Sequence, residues 1–587
     1  MNTRPKLGVI PVFSFITVCA LAMALPALAD ITIYQAKKII TMEPAWPEGR
    51  YVAVRGDRVV GVGRTMDDLK AWTDTHPYTV DKTFSNKILM PGFVESHLHL
   101  ILGALTFVAE FATPDDWMLP GGLVTGVREK ASFMQRVHEG HQKLSNPEEW
   151  LFMFGYASAW HGKLTRADLD RVSLSRPIAV MSRSAHVFVL NSRALELSGV
   201  TAVDVEASGY REYVDLATGT FKEGGATEVL LPAIFPWMMS PERINRGLQI
   251  TRDVLHANGV TTVHEPGSGV FTRGYPEQEM MMFAPVFNDP KAPLRTYLSA
   301  RAEVVFERFH DDETQAMAFL DQLPEMSLER IQFLDKRVKL YVDGSYVDQV
   351  GIYNAPGYVD GHQGQMMTPA EKLLEYMRIL WANNYAIHIH TMGDQGPKIA
   401  LDILQQLQDE RPRFNHGFVL EHLNAVSPED LRRAGSLGAS VSALIWPLYS
   451  VGEQFADKVL GADRLYTGFP LRSVLDNNMT LAIHADTVVS PPQPLLLAWM
   501  AVNRTSATGR VLGEYERLSV DQALRAITIG PARILGLAEE VGSIRAGKKA
   551  DFVVLEKDPY AVNPKKLKDI PIWGTVFEGK LYPVERR

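Results

Sequence analysis

Two histidines one residue apart, in Met90-Pro-Gly-Phe-Val-Glu-Ser-His97-Leu-His99, are the first residues of the chain whose types and spacing suit chemistry. An apolar run enters through Pro91-Gly92 and reads as a strand, in which residues i and i+2 share a face. His97 and His99 therefore present their imidazoles side by side. Two neutral imidazoles at a strand end are half of a metal site. An isolated H-x-H fits hydrogen-bonded core or surface histidines equally well, so the remaining ligands must come from later strand ends.

Three later segments supply them. Tyr385-Ala-Ile-His388-Ile-His390 repeats the opening geometry, with His388 and His390 on one face. Phe418-Val-Leu-Glu421-His422 closes another β run with a histidine, and Ile483-His484-Ala-Asp486 closes a third with a carboxylate. A fourth run, Val338-Lys339-Leu-Tyr-Val-Asp343, sets a lysine within an apolar strand. A buried ammonium needs a reason. One is a salt bridge to a nearby carboxylate. The other is carboxylation by CO2, which turns the lysine into an anionic ligand able to bridge two divalent ions.

The elements that must position these groups alternate short apolar strands with amphipathic helical stretches, the signature of βα units around a parallel sheet. Strands read at 89–99, 260–264, 294–299, 338–342, 385–390, 417–421, 439–442 and 480–486. Eight is the number that closes a (β/α)8 barrel, whose sites sit at the C-terminal strand ends. The expected fold is α/β: a TIM barrel over 89–537 with a large insertion, 105–258, after strand 1. Residues 30–88 and 538–587 share a strand-and-turn texture, including a hairpin through Gly56-Asp57, and predict one small β-sandwich formed by both termini.

At 587 residues and 46% hydrophobic, the chain can bury one very large core or a few ordinary ones. A formal charge of −8 without long runs argues against nucleic acid. Arg4 and Lys6, an apolar run from Val9 to Leu25 and Ala27-Leu28-Ala29 have the layout of a cleaved secretory signal over 1–29. The competing reading is a membrane anchor, but the run is short for a span and is broken by Pro11. The single cysteine, Cys19, lies inside that segment, so a mature chain has no disulfide and no thiolate ligand. A periplasmic or secreted protein is expected, with a small-molecule substrate, no membrane partner after cleavage, and self-association into a homo-oligomer left open.

Together these motifs resemble the amidohydrolase superfamily of metal-dependent hydrolases, in its YtcJ-like branch, which includes N-substituted formamide deformylases. The similarity also covers Ser184-Ala-His186-Val-Phe-Val-Leu-Asn191, Gly259-Val-Thr-Thr-Val, His390-Thr-Met-Gly-Asp and Gly542-Ser-Ile-Arg-Ala-Gly-Lys-Lys-Ala-Asp-Phe-Val-Val-Leu. It implies that His97 and His99 hold a more buried metal, that Lys339 is the N6-carboxylated bridge, and that His390 and His422 hold a second. Asp486 would contact a metal and shuttle the proton. Glu223 would be a further ligand or a substrate contact, and His186 would line the pocket. The cofactor would be one or two divalent ions of the Zn2+ type. Where the branch commonly has Ser before the last Asp, this chain has Ala485; Ala443-Leu-Ile-Trp-Pro447 replaces a common Gln-Pro; His388 and His484 are additional.

The ligand set implies hydrolysis. Ions of this kind lower the pKa of bound water and polarise a carbonyl, while Asp486 moves the proton. His388, His484 or His186 is expected to donate to the developing oxyanion, and Trp117, Trp160 and Trp237 of the insertion to favour an aryl group. The leading expectation is cleavage of a C–N bond in an amide, formamide, carbamate or cyclic amide. An esterase or lactonase would use the same groups, and a non-catalytic binding or regulatory protein would keep the fold without turnover.

Overall fold

Eight parallel strands form the central sheet: β1 Phe93–Glu95, β2 Val260–Ser268, β3 Arg295–Arg301, β4 Ile331–Tyr341, β5 Ala386–Thr391, β6 Val419–His422, β7 Ser440–Ala443 and β8 Leu481–Ile483. They pair in chain order from β1 to β8. The structure is a computed structural model that describes residues 31–585 except Pro120, Thr467 and Val488. The expected signal segment, 1–29, lies outside the described residues. All eight sequence-expected strands are present, and helices such as Ala370–Ala382 and Gln395–Glu410 alternate with them and bury an apolar stripe against the sheet.

The barrel is not closed by a β1–β8 ladder. Instead, Val94 N donates to Ile527 O at 3.1 Å and Ile483 N to Ala526 O at 2.8 Å, so residues 526–527 lie in the seam. At the mouth, Asp486 N donates to His97 O (2.9 Å) and His99 N to Thr487 O (3.0 Å). Between these levels Glu95 accepts the Ala485 amide at 3.1 Å. The seam's backbone groups are thus satisfied without strand pairing, as burial requires.

A second eight-stranded sheet takes strands from both ends of the chain. Ile31–Ile40 pairs antiparallel with Glu48–Arg55 and parallel with Tyr78–Asp81 along its first half and Ile88–Pro91 along its second. Phe552–Leu555 then pairs antiparallel with Ile88–Pro91. The strand read as 89–99 is therefore two strands. Ile88–Pro91 belongs to the terminal sheet and Phe93–Glu95 to the barrel, with Gly92 between them. The cause is steric and local. Gly92 N donates to Asp551 O at 2.9 Å, and a Cβ at Gly92 would come within 2.1 Å of Thr261 Oγ1.

Between β1 and β2 lies a six-stranded sheet with its own buried cluster, built on Leu151–Tyr156, Ile178–Ser182 and Val187–Leu190. It stands over the mouth of the barrel. Among the described residues no helix is long and apolar enough to cross a membrane.

Gly92→Ala is expected to lower stability by about 1–3 kcal/mol through overpacking, read by denaturant unfolding. Adding Thr261→Ala should restore much of that loss. An unchanged midpoint in the single variant would mean that the junction has room to spare.

Candidate active site

β1, β5, β6 and β8 end around one point. The ligand atoms of His97, His99 and Asp486 lie within 4.8 Å of one another, as do those of His97, His422 and His484. His97 Nε2 and His99 Nε2 are 3.7 Å and 3.5 Å from Asp486 Oδ1, and His422 Nδ1 is 3.6 Å from Oδ2. The His390 ring lies 4.4 Å from that of His422. These groups share the floor of a cleft that includes Ser184, His186, Glu223, Glu265 and Arg301, with apolar walls from Leu102, Leu231, Val270 and Phe271.

Carboxylates behind the histidines fix their tautomers. His97 Nδ1–H donates to Glu421 Oε2 at 2.8 Å, and His99 Nδ1–H to Glu265 Oε1 at 2.8 Å. Each ring therefore turns its Nε2 lone pair toward Asp486, the arrangement that orients metal-binding imidazoles. His422 Nδ1 meets His484 Nε2 at 3.1 Å, and His484 Nδ1 meets Ser442 Oγ at 2.7 Å. That leaves His422 Nε2 buried and without a partner, as are His390 Nε2 and Lys339 Nζ.

Burial and the Lys339 charge hold His97 and His390 well below the ordinary imidazole range. Burial, His390 and Lys339 do the same to His422. Burial pushes Lys339 down to about 8, against the pull of Glu421 and Asp486. Burial raises Asp486, opposed by His99 and Lys339. His99 and His186 go the other way: burial lowers both, but Glu265 raises His99 and Glu223 lifts His186 to about 9.

The structure corrects several expectations. His388 and His484 do not reach the cleft. His388 donates Nδ1–H to Glu421 Oε1 at 2.5 Å and accepts from Arg337 Nη1 at 2.9 Å, so both nitrogens are occupied one layer below the floor. Both nitrogens of His484 are likewise taken, which rules out donation to a substrate oxygen, although its ligand atoms belong to the His97–His422 cluster. The salt-bridge reading of Lys339 is not realised among the described residues: its Nζ has no hydrogen-bond partner and lies 5.1 Å from the centre of the Tyr341 ring. Trp117, Trp160 and Trp237 lie away from the cleft: Trp117 packs on Trp446, Trp160 Nε1 donates to Ser450 O, and Trp237 stacks on Trp150.

Glu223 and His186 do line it. His186 Nδ1–H donates to Glu223 Oε2 at 2.6 Å, while Glu223 Oε1 is buried without a partner. Residues that sequence reasoning passed over are Glu265, within β2, Arg301, at the end of β3, and Glu421, whose place beside His422 was noted without a role. Glu265 directly follows His264, where the sequence reads as a strand's end, a signal of the same kind as Glu421-His422, although the observed strand runs on to Ser268.

The inward-turned Nε2 of His97 and His99, the Asp486 carboxylate and the orphaned Nε2 of His390 and His422 fit a divalent cation. Residues 85–582 match the amidohydrolase family. The chain belongs to that family. Over 577 residues (95% of this chain, 92% of the other) it is 26% identical to Protein LONG AFTER FAR-RED 3 of Arabidopsis thaliana. It is 24% identical to putative amidohydrolase YtcJ of Bacillus subtilis (86% and 90% covered) and 25% identical to N-substituted formamide deformylase of Arthrobacter pascens (90% and 94%). An uncharacterized metal-dependent hydrolase from Pyrococcus horikoshii superposes with a TM-score of 0.68 at 20% identity, covering 91% of this chain and 99% of that one, a likeness of fold. As an amidohydrolase superfamily member of the YtcJ-like branch, the chain has the scaffold of a metal-dependent hydrolase.

Glu421→Gln is expected to weaken metal binding about 10- to 100-fold, because an amide cannot accept from both His97 and His388 as the carboxylate does. Competition with a chelator measures it. Unchanged affinity would show that Glu421 does not govern the donor set.

Proposed function

We propose that the protein is an exported hydrolase that cleaves a C–N bond of a small amide, formamide, carbamate or cyclic amide. What carries the reading is the convergence of His97, His99 and Asp486 on one face of a largely apolar cleft. The similarity to N-substituted formamide deformylase supports the choice of C–N bond.

His97, His99, His390, His422 and Asp486 would hold one or two divalent ions, with zinc suited to imidazole and carboxylate donors in a chain whose only cysteine is Cys19. When bound, such an ion supplies Lewis acidity, which brings the pKa of water toward neutrality and polarises a carbonyl. The protein's own groups do the rest. Glu421 and Glu265 keep the Nε2 lone pairs of His97 and His99 turned inward. Asp486 takes a proton from the attacking water and passes it to the leaving nitrogen as the C–N bond breaks, leaving the water oxygen on the acyl carbon. The charged His186, held by Glu223, is the one histidine of the three considered that faces the cleft and can donate to the carbonyl oxygen. Lys339, lowered by burial, has a neutral amine fraction that can add to CO2 and release a proton, giving an anionic carbamate ligand.

Asp486→Asn is expected to cut turnover by about 10²- to 10⁴-fold, the usual weight of a positioned acid–base group, while most of the metal stays bound. Undiminished hydrolysis would remove Asp486 from the chemistry. Screening N-acyl, N-formyl, carbamate and lactone compounds on the metal-loaded enzyme separates amide from ester cleavage; turnover confined to lactones would replace the C–N assignment.

Export is tested by N-terminal sequencing of the fractionated protein. A start at Asp30 outside the cytoplasm is expected, and an intact Met1 in the cytosol would refute it.

A further inference from the structure

Above its floor the cleft offers a substrate almost no free charge. His186 bonds Glu223, His99 bonds Glu265, and Arg301 pairs with Glu303 at 3.6 Å. Glu279 gives one oxygen to two backbone amides, Gly269 N at 2.9 Å and Phe271 N at 3.1 Å. Glu223 keeps Oε1 unbonded, but that atom is buried beside Gly344. What stays open is largely apolar: Leu102, Leu231, Val270, Phe271 and Met367.

Val270 and Phe271 are consecutive and half-buried, on a short loop between β2 and the helix Pro276–Phe287. The loop closes on itself, with Gly274 N donating to Gly269 O at 2.9 Å. Gly274 takes a φ of +87°, and a Cβ there would come within 2.4 Å of Val304 O, so that end is fixed against the helix after β3. Arg308 Nη1 also donates to Gly274 O, at 3.1 Å. The other end is held by Glu279, a buried acid from the first turn of the following helix. Among the described residues it has no salt bridge, and the two amides are its only hydrogen bonds. A carboxyl group kept out of water needs donors, and here the donors are the amides that aim Val270 and Phe271.

We propose that Phe271, with Val270, is the specificity-determining wall of the cleft, that Glu279 positions it, and that the substrate class is the uncharged amide bearing an aryl or comparably broad apolar substituent. The substituent packs on Phe271 while the amide carbon lies over His97, His99 and Asp486. The choice of scissile bond rests on the hydrolase reading above; the apolar preference rests on the cleft wall alone.

The test is calorimetric titration of the metal-loaded full chain, in the Asp486→Asn background so that no ligand is consumed. The ligands are N-methylacetamide, N-(2-phenylethyl)acetamide and N-acetylphenylalanine; the second adds an aryl group to the first, and the third a carboxylate to the second. The aryl group should tighten binding about ten-fold or more, as burial of one ring predicts, and the carboxylate should add nothing. Phe271→Ala should remove most of the aryl gain, and Phe271→Leu should keep part of it. Glu279→Gln, whose carbonyl oxygen can accept the same two amides, should keep the gain. Glu279→Met should lose it with metal content and N-methylacetamide affinity unchanged. Equal binding of the methyl and phenylethyl amides, or a carboxylate that binds ten-fold more tightly, would overturn the proposal before any loop variant is made. An aryl gain that survives in a folded Phe271→Ala protein would overturn it too. Phe271 is half-buried, so its variants read the wall even should Glu279→Met not fold. Equal loss of both amides in Glu279→Met and Glu279→Gln would make Glu279 a structural prop and overturn its positioning role. Amide turnover without aryl preference would sink the wall and spare the hydrolase reading; aryl preference with no turnover by the unsubstituted enzyme would do the reverse.

Discussion

Burying an ionised carboxylate at the centre of a barrel is costly unless donors surround it, and Glu421 sets the terms for what lies around it. Burial alone would raise its pKa, yet His97 and His388 hold it well below the usual carboxylate range. The two imidazoles divide its oxygens, His97 at 2.8 Å and His388 at 2.5 Å. His388 is held in turn by Arg337, which also donates to Ile534 O at 2.8 Å in the helix Ile529–Ile534. A line of hydrogen bonds thus runs from a helix at the foot of the barrel up to the ring nitrogen of His97. The lone pair that His97 offers the cleft is the end of that line. Glu265 does the same work for His99 over a shorter path, accepting the Leu100 amide as well.

Below the cleft floor the histidines are matched: His264 bonds Ser96 O and Ser299, and His484 bonds Ser442 and His422. At the floor they are not. Lys339 Nζ, His390 Nε2, His422 Nε2 and Glu223 Oε1 are buried and unpartnered within one small volume. Native interiors rarely leave such atoms unmatched, so a cluster of them marks where a ligand belongs. Some of the chain's backbone strain lies in the same place. Glu223, His422, Leu423 and Asp486 all take positive φ, a conformation that costs non-glycine residues about 1–3 kcal/mol each and persists only where surrounding structure enforces it.

Strand ends were legible because the barrel makes them so: period-two alternation and turn residues placed all eight strands, and with them His97, His99, His390, His422 and Asp486. Depth was not legible. Alternation tells which face His388 and His484 share, not whether they stand at the floor or a layer beneath it. Glu421 and Glu265 follow the same limit from the other side, since a carboxylate that orients a ligand leaves no spacing signature of its own. The break at Gly92 was missed because Ile88–Pro91 and Phe93–Glu95 are both apolar and nothing in their order separates a sheet-to-sheet step from one continuous strand.

The insertion is more than a cover laid over the mouth. Arg183, fully buried, pairs bidentately with Asp115 (2.6 and 2.9 Å) and donates Nε–H to Val489 O at 3.0 Å. Its guanidinium lies over the rings of both Trp117 and Trp446. One side chain therefore ties the segment carrying Ser184 and His186 to the loop that follows Asp486 and to the loop after β7. Removing either partner would strand a buried charge, which is far more costly than losing a surface pair. The rim of the cleft and the loop that follows Asp486 are held as one body. Residues projecting from that rim, Thr227 and Leu231 among them, can then differ without disturbing Glu421, Glu265 or the imidazoles they aim. The insertion's share of the cleft wall and the histidine cluster are separable in this fold because the first is built on the insertion and the second on the barrel, with Arg183 tying the two together.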